Sequence, residues 1–185
     1  MSRSMDPGDS ERRKWRNLKR QRPPEIEIAG PGQESVWDYP RPPRVEAVGA
    51  RLRVLCGGID LADTRCAYRV IETANPPVYY LPPTDVRREY LEPGDRESLC
   101  EWKGVARYWS VRVGGRIAQH AAWSYPDPDA GFELIRDFIA FYAGKMEACF
   151  VAGERVRPQP GGYYGGWITA GVVGPFKGPP GTEGW

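Results

Sequence analysis

Residues 105–125, which read VARYWSVRVGGRIAQHAAWSY, decide the fold class. Gly114 and Gly115 separate two stretches in which apolar and polar residues alternate. A two-residue glycine loop favours a β-hairpin, because the tight turns that suit twisted strands need positive φ at their central residues. Closing the loop in this way places Trp109 opposite His120 and predicts two antiparallel strands.

The two faces of this hairpin differ in character. The same register places Tyr108 opposite Ala121 and Ala106 opposite Trp123. Successive side chains of a strand point to opposite sides of the sheet. One face therefore carries the expected core residues, which are Val105, Trp109, Val111, Val113 and Ala118. The other face mixes aromatic rings with polar groups, namely Tyr108, Ser110, Arg112, Gln119 and Trp123.

Three shorter stretches also have strand character. Residues 45–54, VEAVGARLRV, alternate in the same manner and predict a first hairpin with its turn at Gly49 and Ala50. Residues 68–73 and residues 78–82 predict two further short strands, since prolines bound the second of them on both sides. The chain is therefore expected to be mainly β.

One segment has a helical pattern instead. Residues 130–142, AGFELIRDFIAFY, repeat apolar side chains at the spacing of a helix face. Asp127 and Asp129 are candidate N-caps, and Pro128 suits a first helical turn. The pattern predicts one short helix that gives way to a strand near Phe138.

The last part of the chain, residues 158–185, is rich in glycine and proline but also contains aromatic residues. These are Tyr163, Tyr164, Trp167, Phe176 and Trp185. Large aromatic side chains gain stability from burial. We therefore interpret the segment as an irregular but ordered wrap on the sheet, and residues 35–185 as a single domain.

Composition supports a globular domain preceded by a tail. The 185 residues are 41% hydrophobic and 27% charged, and roughly 150 residues suffice to bury a core without disulfides or metal. Residues 1–34 hold few large apolar side chains, and seven residues from Arg12 to Arg22 are basic. This composition predicts a disordered tail. Its charge is compatible with a weak, salt-sensitive contact with nucleic acid.

Location and metal content follow from what the sequence lacks. No apolar run approaches the roughly 20 residues of a membrane-spanning helix, and the first residues contain no apolar core of a secretory signal; a cytoplasmic location is expected. Only one histidine is present, and no C-x-x-C pair occurs. No zinc site, other metal site or cofactor is therefore predicted. The cysteines are expected to be reduced, mostly buried thiols: Cys56, Cys66, Cys100 and Cys149.

Several blocks in order resemble one known family. They are VWDYPRPPRVE, ADTRCAYRVIET, PPVYYLPPTDV, CEWKGVARYWSV, AAWSYPDP, FIAFY and the closing PQPGGYYGGWIT with VGPFKGPPGTEGW. Over residues 35–185 the chain resembles the bacterial and fungal family of domain of unknown function 427, which is also labelled nucleotidyltransferase-like. The resemblance implies a β-tent fold, in which two antiparallel sheets meet at an angle, as in methionine sulfoxide reductase B and the ligand-binding domain of cereblon.

The family's characteristic positions carry over to this chain residue by residue. They are Asp63, Thr64, Glu72, Tyr80, Cys100, Lys103, Gly104, Ala106, Tyr108 and Trp123. Many β-tent proteins hold zinc through cysteine pairs. This chain has no such pair, so the resemblance does not imply zinc here.

Motifs of nucleotide chemistry are absent from the sequence. Metal-assisted nucleotidyl transfer generally needs two or three carboxylates around Mg²⁺, and the single D-x-D is Asp127-Pro128-Asp129 in a proline-containing loop. Neither a phosphate-binding glycine motif nor a G-x-S-x-G nucleophile motif occurs. His120 lacks an evident catalytic partner, and Cys100 beside Lys103 is expected to be a buried small residue rather than a nucleophile.

One group of residues suggests a binding site. Glu72, Tyr80, Lys103, Tyr108 and Trp123, together with Asp63, are the candidates. Aromatic walls with a few convergent charges are typical of small-molecule pockets, so we expect a small-molecule-binding domain, with or without catalysis. The alternative for the same residues is an aromatic core with a Glu72–Lys103 ion pair at its rim. The alternatives for function are nucleotide or phosphoryl chemistry and a non-catalytic interaction module with a basic arm.

Overall fold

The computed structural model describes residues 7–185. Within this range lie one α-helix, α1 (Pro7–Arg16), and the following strands: β1 (Glu34–Ser35), β2 (Arg44–Val48), β3 (Leu52–Cys56), β4 (Ile59–Thr64), β5 (Ala67–Glu72), β6 (Asn75–Tyr80), β7 (Leu91–Cys100), β8 (Gly104–Val113), β9 (Arg116–Ser124), β10 (Ala140–Phe141), β11 (Ala148–Val151), β12 (Glu154–Arg155), β13 (Arg157–Pro158), β14 (Trp167–Ile168) and β15 (Val172–Val173). Short 3-10 helices lie at Val36–Asp38, Pro83–Asp85, Arg88–Tyr90, Glu133–Ile135 and Ala143–Lys145.

Antiparallel sheets form the framework of the domain. Two sheets have four strands each, in the orders β10-β9-β8-β7 and β12-β11-β3-β4. A third sheet has the order β2-β5-β6, and two short pairs join β1 to β15 and β13 to β14. The predicted mainly β fold is confirmed, and its β-tent arrangement stays a prediction. Within residues 7–185 no helix has the length and apolar character needed to cross a membrane.

The hairpin of β8 and β9 forms as predicted at its turn. Gly114 and Gly115 have φ of 52° and 80°, and Val111 pairs with Ala118. Farther from the turn a β-bulge shifts the register by two residues, because residues 119–121 lie opposite Ser110 alone. The predicted pairs beyond this point, Trp109 with His120, Tyr108 with Ala121 and Ala106 with Trp123, are therefore wrong.

The bulge leaves the two faces of the hairpin unchanged, because an insertion of two residues preserves the alternation of side chains. Val111 and Val113 are buried as expected, whereas Val105 on the same face is 42% exposed. Beyond the bulge Tyr108 pairs directly with Trp123. Both of these rings are buried on the opposite face.

The first predicted hairpin is wrong. Strand β2 pairs with β5, and β3 pairs with β4 and β11 instead. The turn that β3 uses is Gly57-Gly58, with φ of 59° and 74°. Two consecutive glycines reach these angles without the steric cost that Ala50 would meet, so the later turn is the better hairpin.

The helix expected over residues 130–142 is reduced to the 3-10 turn Glu133–Ile135, and the strand after it is β10. Ala140 pairs with Trp123 of β9, so β10 extends the first four-stranded sheet. This strand pairing takes the place of the helix that the local pattern predicts. Asp127 and Asp129 consequently cap no α-helix. They form ion pairs with Arg136 and Arg12.

Two buried clusters meet at the first four-stranded sheet. The main core lies on one side and includes Leu52, Val54, Leu61, Val111, Val113, Ala122, Phe141 and Trp167. The aromatic cluster lies on the other side and consists of Val70, Tyr80, Ala106, Tyr108, Trp123, Tyr125, Phe132, Ile135, Ala140 and Tyr142. The C-terminal segment, residues 158–185, packs on the β10-β9-β8-β7 sheet. Its Trp167 Nε1 donates a hydrogen bond to the Phe141 carbonyl oxygen at 2.9 Å.

The basic arm, which we define as residues 7–22, contacts the domain. Arg12 forms an ion pair with Asp129, and Arg16 Nε donates to the Glu101 carbonyl oxygen at 2.6 Å. The structure describes a helix over Pro7–Arg16 and an irregular stretch after it, and disorder of the tail in solution stays a prediction from composition. The acceptors lie more than 80 residues away along the chain, so the local composition does not reveal them. Residues 1–6 of the predicted tail lie outside the described residues.

Candidate functional site

A cavity of about 560 Å³ opens between the edge of β5 and β6, the first four-stranded sheet and the C-terminal segment. This size falls within the range of small-molecule sites, about 300 to 1,000 Å³. Glu11, Trp15 and Arg20 of the basic arm also line the cavity. The cavity is therefore built from four parts of the fold: the β5–β6 edge, the first four-stranded sheet, the C-terminal segment and the basic arm.

Aromatic rings form the floor of the cavity. The ring centroids of Trp123 and Tyr142 are 4.6 Å apart, and Tyr80 meets Trp123 edge to face at 6.4 Å. Trp123 Nε1 donates to the Tyr80 hydroxyl at 3.4 Å. Trp123 Nε1 and the Tyr80 hydroxyl thus satisfy each other, and the Tyr142 hydroxyl donates to the Tyr163 carbonyl oxygen at 3.1 Å, as buried polar groups require.

The β-bulge places Tyr108 directly opposite Trp123 on this floor. Directly opposite residues of an antiparallel pair have Cβ atoms about 4.5 to 5.5 Å apart, and the shifted register makes these two residues direct partners. The Tyr108 hydroxyl lies 3.0 Å from Ser98 Oγ on β7. The guanidinium of Arg96 covers the outer face of the Tyr108 ring at 4.5 Å.

Lys103 lies on the turn between β7 and β8. Its Nζ is 5.9 Å from the ring centroid of Tyr125 and 6.0 Å from that of Phe132. Burial lowers the pKa of Lys103, whereas the neighbouring Cys100, Tyr80 and Glu72 raise it, and the net direction is upward. The ammonium therefore stays charged inside the cavity.

The hydroxyl groups beside Lys103 are neutral donors. Burial raises the pKa of Tyr80 to about 12, and burial also raises the pKa of Tyr125 well above its ordinary value. Neutral phenols can donate a hydrogen bond to a carbonyl or anionic oxygen. This end of the cavity thus offers one cation and two hydroxyl groups.

Glu72 does not form the ion pair with Lys103 that the sequence suggests. Its carboxylate pairs with Arg41, whose Nη2 lies 2.9 Å from Glu101 Oε1. Lys103 forms no salt bridge with any carboxylate in the part of the chain that the structure describes. The charge of Glu72 nevertheless acts on Lys103 from a distance.

The C-terminal segment closes one side of the cavity. Gly165 lies so near Trp123 that an added Cβ would be 2.1 Å from Cη2 of the indole. Gln159 holds the same segment: its Nε2 donates to Asn75 Oδ1 at 2.9 Å, and its Oε1 accepts from the Gly166 N–H at 3.0 Å. The glycines of GYYGGW therefore permit close approach to the aromatic floor.

Five of the six candidate residues line the cavity together: Glu72, Tyr80, Lys103, Tyr108 and Trp123. Asp63 does not, because its exposed carboxylate on β4 pairs with Arg51. Of the other family positions Cys100 and Ala106 also line the cavity. Thr64 instead donates a hydrogen bond to Asp85 at 2.6 Å.

Sequence reasoning missed several lining residues. Arg20 comes from the stretch interpreted as a tail, Arg41 lies near the start of the predicted domain, and Lys177 lies in the Gly/Pro-rich end. Lys177 is 5% exposed. A single lysine within GPFKGPP was a usable signal, because a charge inside a segment expected to be buried needs a polar environment.

The remaining residues considered for chemistry lie apart from one another. His120 Nε2 contacts Asp95 on the surface at 3.1 Å. The four cysteines are free, with Cys149 buried and Cys66 exposed. Within residues 7–185 no group of three or more His, Cys, Asp or Glu side chains is placed to hold a metal ion.

The strands around the cavity match one family model, which covers residues 44–152 and is described as domain of unknown function DUF427. The chain belongs to this family. The DUF427 model also has a nucleotidyltransferase-type short name. No curated protein matches the chain. The DUF427 match contains the aromatic floor, Lys103 and Glu72, whereas the basic arm and the C-terminal segment lie outside it.

Proposed function

We propose that this DUF427 domain binds a small molecule in the aromatic cavity. One observation carries the proposal: the Lys103 ammonium lines a cavity of about 560 Å³ whose floor is aromatic, and no salt bridge to a described residue neutralises it. A half-buried cation without a carboxylate partner gives up hydration that no carboxylate of the described residues replaces. A ligand that accepts its hydrogen bonds offsets this cost.

The lining indicates the chemistry of the ligand. Trp123 and Tyr142 offer ring faces for a flat group, since offset or tilted aromatic pairs are favourable. Lys103 and the neutral Tyr80 and Tyr125 hydroxyls suit an oxygen acceptor. The ligand we propose is a planar molecule with a carbonyl or anionic oxygen directed at Lys103.

Thermal shift with a panel of planar carbonyl compounds, with and without an acidic group, tests the proposal. A ligand present at 100 times its Kd stabilises the folded state by about 2.7 kcal/mol. For a chain of this size this corresponds to a rise in Tm of about 5 to 10 °C. Compounds that raise Tm for the wild type are then titrated against Lys103→Met and the matched control Lys19→Met.

Lys103→Met keeps the aliphatic stem and removes the charge. We expect its affinity to fall about ten-fold to a hundred-fold, the worth of a charge-assisted hydrogen bond. Lys19 is exposed and does not line the cavity, so its variant should bind normally. Equal affinity of Lys103→Met and the wild type for the ligand would show that Lys103 does not contribute to binding.

Nucleotide binding is the second candidate. The nucleotidyltransferase-type label of the family and the cations Arg20, Arg41 and Lys177 at the cavity favour it. The compound panel therefore includes nucleosides, nucleotides and nucleotides with Mg²⁺. Stabilisation by nucleotides alone, with Mg²⁺ dependence, would favour phosphoryl chemistry over the binding of a planar carbonyl compound.

A further inference from the structure

The basic arm contacts the domain at the turn that carries Lys103. This turn, residues 101–103, joins β7 to β8, and we call it the Lys103 turn. Arg16 Nε donates to the Glu101 carbonyl oxygen at 2.6 Å, and the Arg16 guanidinium lies 5.2 Å from the ring centroid of Trp102. The arm therefore binds the same turn that presents a cation to the cavity.

A second contact reaches Lys103 through Asp129. The Asp129 N–H donates to the Lys103 carbonyl oxygen at 3.0 Å. The Asp129 carboxylate pairs with Arg12, and Arg16 Nη2 lies 3.8 Å from the same carboxylate. Residues four apart on a helix are neighbours on its surface. Arg12 and Arg16 of α1 thus hold together one residue that is bonded to the backbone of Lys103.

The same helix supplies part of the cavity wall. Glu11 and Trp15 of α1 line the cavity, whereas Arg12 and Arg16 do not. The helix thus presents one set of residues to the cavity and another set to the rest of the domain. A movement that breaks the second set of contacts therefore also removes a wall of the cavity.

Polar contacts rather than apolar burial hold α1 in place. None of residues 8–16 is buried, and Trp15 is exposed. The side chains of Arg12 and Asp129 remain 24% and 27% exposed in their ion pair. Partly exposed ion pairs contribute little stability and are screened by salt. Segments with few buried apolar contacts open while the core stays folded, so α1 can leave the cavity without unfolding the sheets.

We propose that α1 is a gate of the aromatic cavity: it closes the cavity by binding the Lys103 turn and Asp129, and its release admits the ligand. The gate rests on the proposed function of that cavity. In the closed state the hydrogen bond from Asp129 to the Lys103 backbone holds the turn, and with it the ammonium, against the ligand. Arg12 and Arg16 are positioning residues that act through the turn, since neither lines the cavity.

Alkylation of Cys100 by N-ethylmaleimide measures access to the cavity in the full chain. Cys100 is half-buried and lines the cavity, whereas Cys66 is exposed and Cys149 is buried in the main core. Peptide mass spectrometry follows each thiol separately. Cys66 reports the reactivity of the reagent under each condition, and Cys149 reports global unfolding.

Arg12→Gln removes one partner of the ion pair with Asp129. We expect Cys100 to be labelled about two-fold to five-fold faster in this variant, which corresponds to the worth of a partly exposed ion pair. Arg13→Gln is the matched control, because Arg13 is exposed on the same helix, and its labelling should match the wild type. Asp129→Asn should also speed labelling, and Arg12→Gln should add nothing further in that background.

Salt provides a test without substitution. Raising NaCl from about 50 to 500 mM shortens the screening length and should speed the labelling of Cys100 in the wild type relative to that of Cys66. The same change should have a smaller effect in Asp129→Asn, where the ion pair is already lost. Circular dichroism checks that each variant is folded.

Several results would overturn the gate. These are equal Cys100 labelling in the wild type, Arg12→Gln and Asp129→Asn, equal acceleration in Arg12→Gln and Arg13→Gln, or labelling of Cys100 only together with Cys149. If planar compounds bind with Lys103 dependence while Cys100 labelling is independent of Arg12, the cavity function stands and the gate fails. If Cys100 labelling depends on Arg12 but no planar compound binds, the gate stands and the cavity function fails.

Discussion

Gly165 of the C-terminal segment lies against the indole of Trp123, with room for a hydrogen but not for a methyl group. A Cβ at this position would be 2.1 Å from Cη2 and 2.7 Å from Cζ3. Trp123 is itself buried between Tyr80 and Tyr142. The contact therefore links the closing segment to the floor of the cavity.

Gly165→Ala should destabilise the fold because the new methyl group overpacks this contact. Overpacking costs about 1 to 3 kcal/mol, measurable by urea denaturation, and the indole fluorescence should change as the ring moves. Gly49→Ala is the control: no atom lies within 4 Å of its added Cβ, and its effect should be within about 0.5 kcal/mol. Equal stability of the two variants would mean that the closing segment is not seated on Trp123.

Trp123→Ala should cost about 3 to 5 kcal/mol of unfolding free energy, because the ring is 7% exposed and packs in the aromatic cluster. Trp15 on the basic arm is 39% exposed, so Trp15→Ala should change stability by less than about 0.5 kcal/mol. Denaturation curves of both variants provide the comparison. A loss below about 1 kcal/mol for Trp123→Ala would indicate a ring that only borders an open cavity.

Acid should weaken the contact between β1 and β5. Arg69 donates to both oxygens of Glu34 at 2.9 Å, and this hydrogen bonding lowers the pKa of Glu34. A carboxyl whose pKa is lower in the folded state contributes stability at pH above about 4.3, its unfolded value, and this stability is lost as pH falls further. Since the Glu34 side chain is 43% exposed, the contribution is about 1 kcal/mol or less.

Arg69→Met should therefore lower stability at pH 7 and flatten the pH dependence of unfolding between pH 5 and 3. The exposed pair Arg112–Glu92 provides the control variant Arg112→Met, with a smaller loss. Chemical denaturation across this pH range measures both. An unchanged pH profile in Arg69→Met would show that Glu34 is not held by this guanidinium.

The basic arm should be released by salt, because it is held mainly by ion pairs such as Arg12–Asp129. Trypsin cleavage at Arg13 and Lys14 should be slow at 50 mM NaCl and faster at 500 mM, where the screening length is shorter. Asp129→Asn should speed cleavage at low salt. A synthetic peptide of residues 7–22 corrects for the effect of salt on trypsin itself. Cleavage of the full chain at the peptide's rate in both salts would mean that the arm is disordered, as composition alone predicts.

Local sequence pattern was sufficient to predict the turn of the β8–β9 hairpin and its two faces. The turn at Gly114 and Gly115 and the two faces of its hairpin follow from glycine chemistry and alternation. Gly57-Gly58 carried the same signal, and giving it more weight than Gly49-Ala50 would have paired β3 correctly. The bulge opposite Ser110 has no such signal, because it depends on how β9 meets its neighbours.

Some residues of the candidate site could likewise be predicted from the sequence, and others could not. Five lining residues were expected because they are characteristic positions of the family blocks and combine aromatic rings with a few charges. Arg20 and Lys177 were missed because their partners, the Trp185 carbonyl and Glu101, come together only through tertiary contacts. Asp63 was included because it lies in a family block, and its ion pair with Arg51 gives it a surface position.

The bulge in β9 determines how the hairpin tolerates changes of length. Two extra residues slide Trp123 along its partner strand by about 7 Å, at roughly 3.3 Å per residue, and keep its side chain on the cavity side. Removing one residue from 119–121 would turn Trp123 and Tyr125 toward the main core, whereas removing two would keep both on the cavity side. Even-numbered insertions and deletions at this point thus change the dimensions of the cavity without reversing which side chains line it.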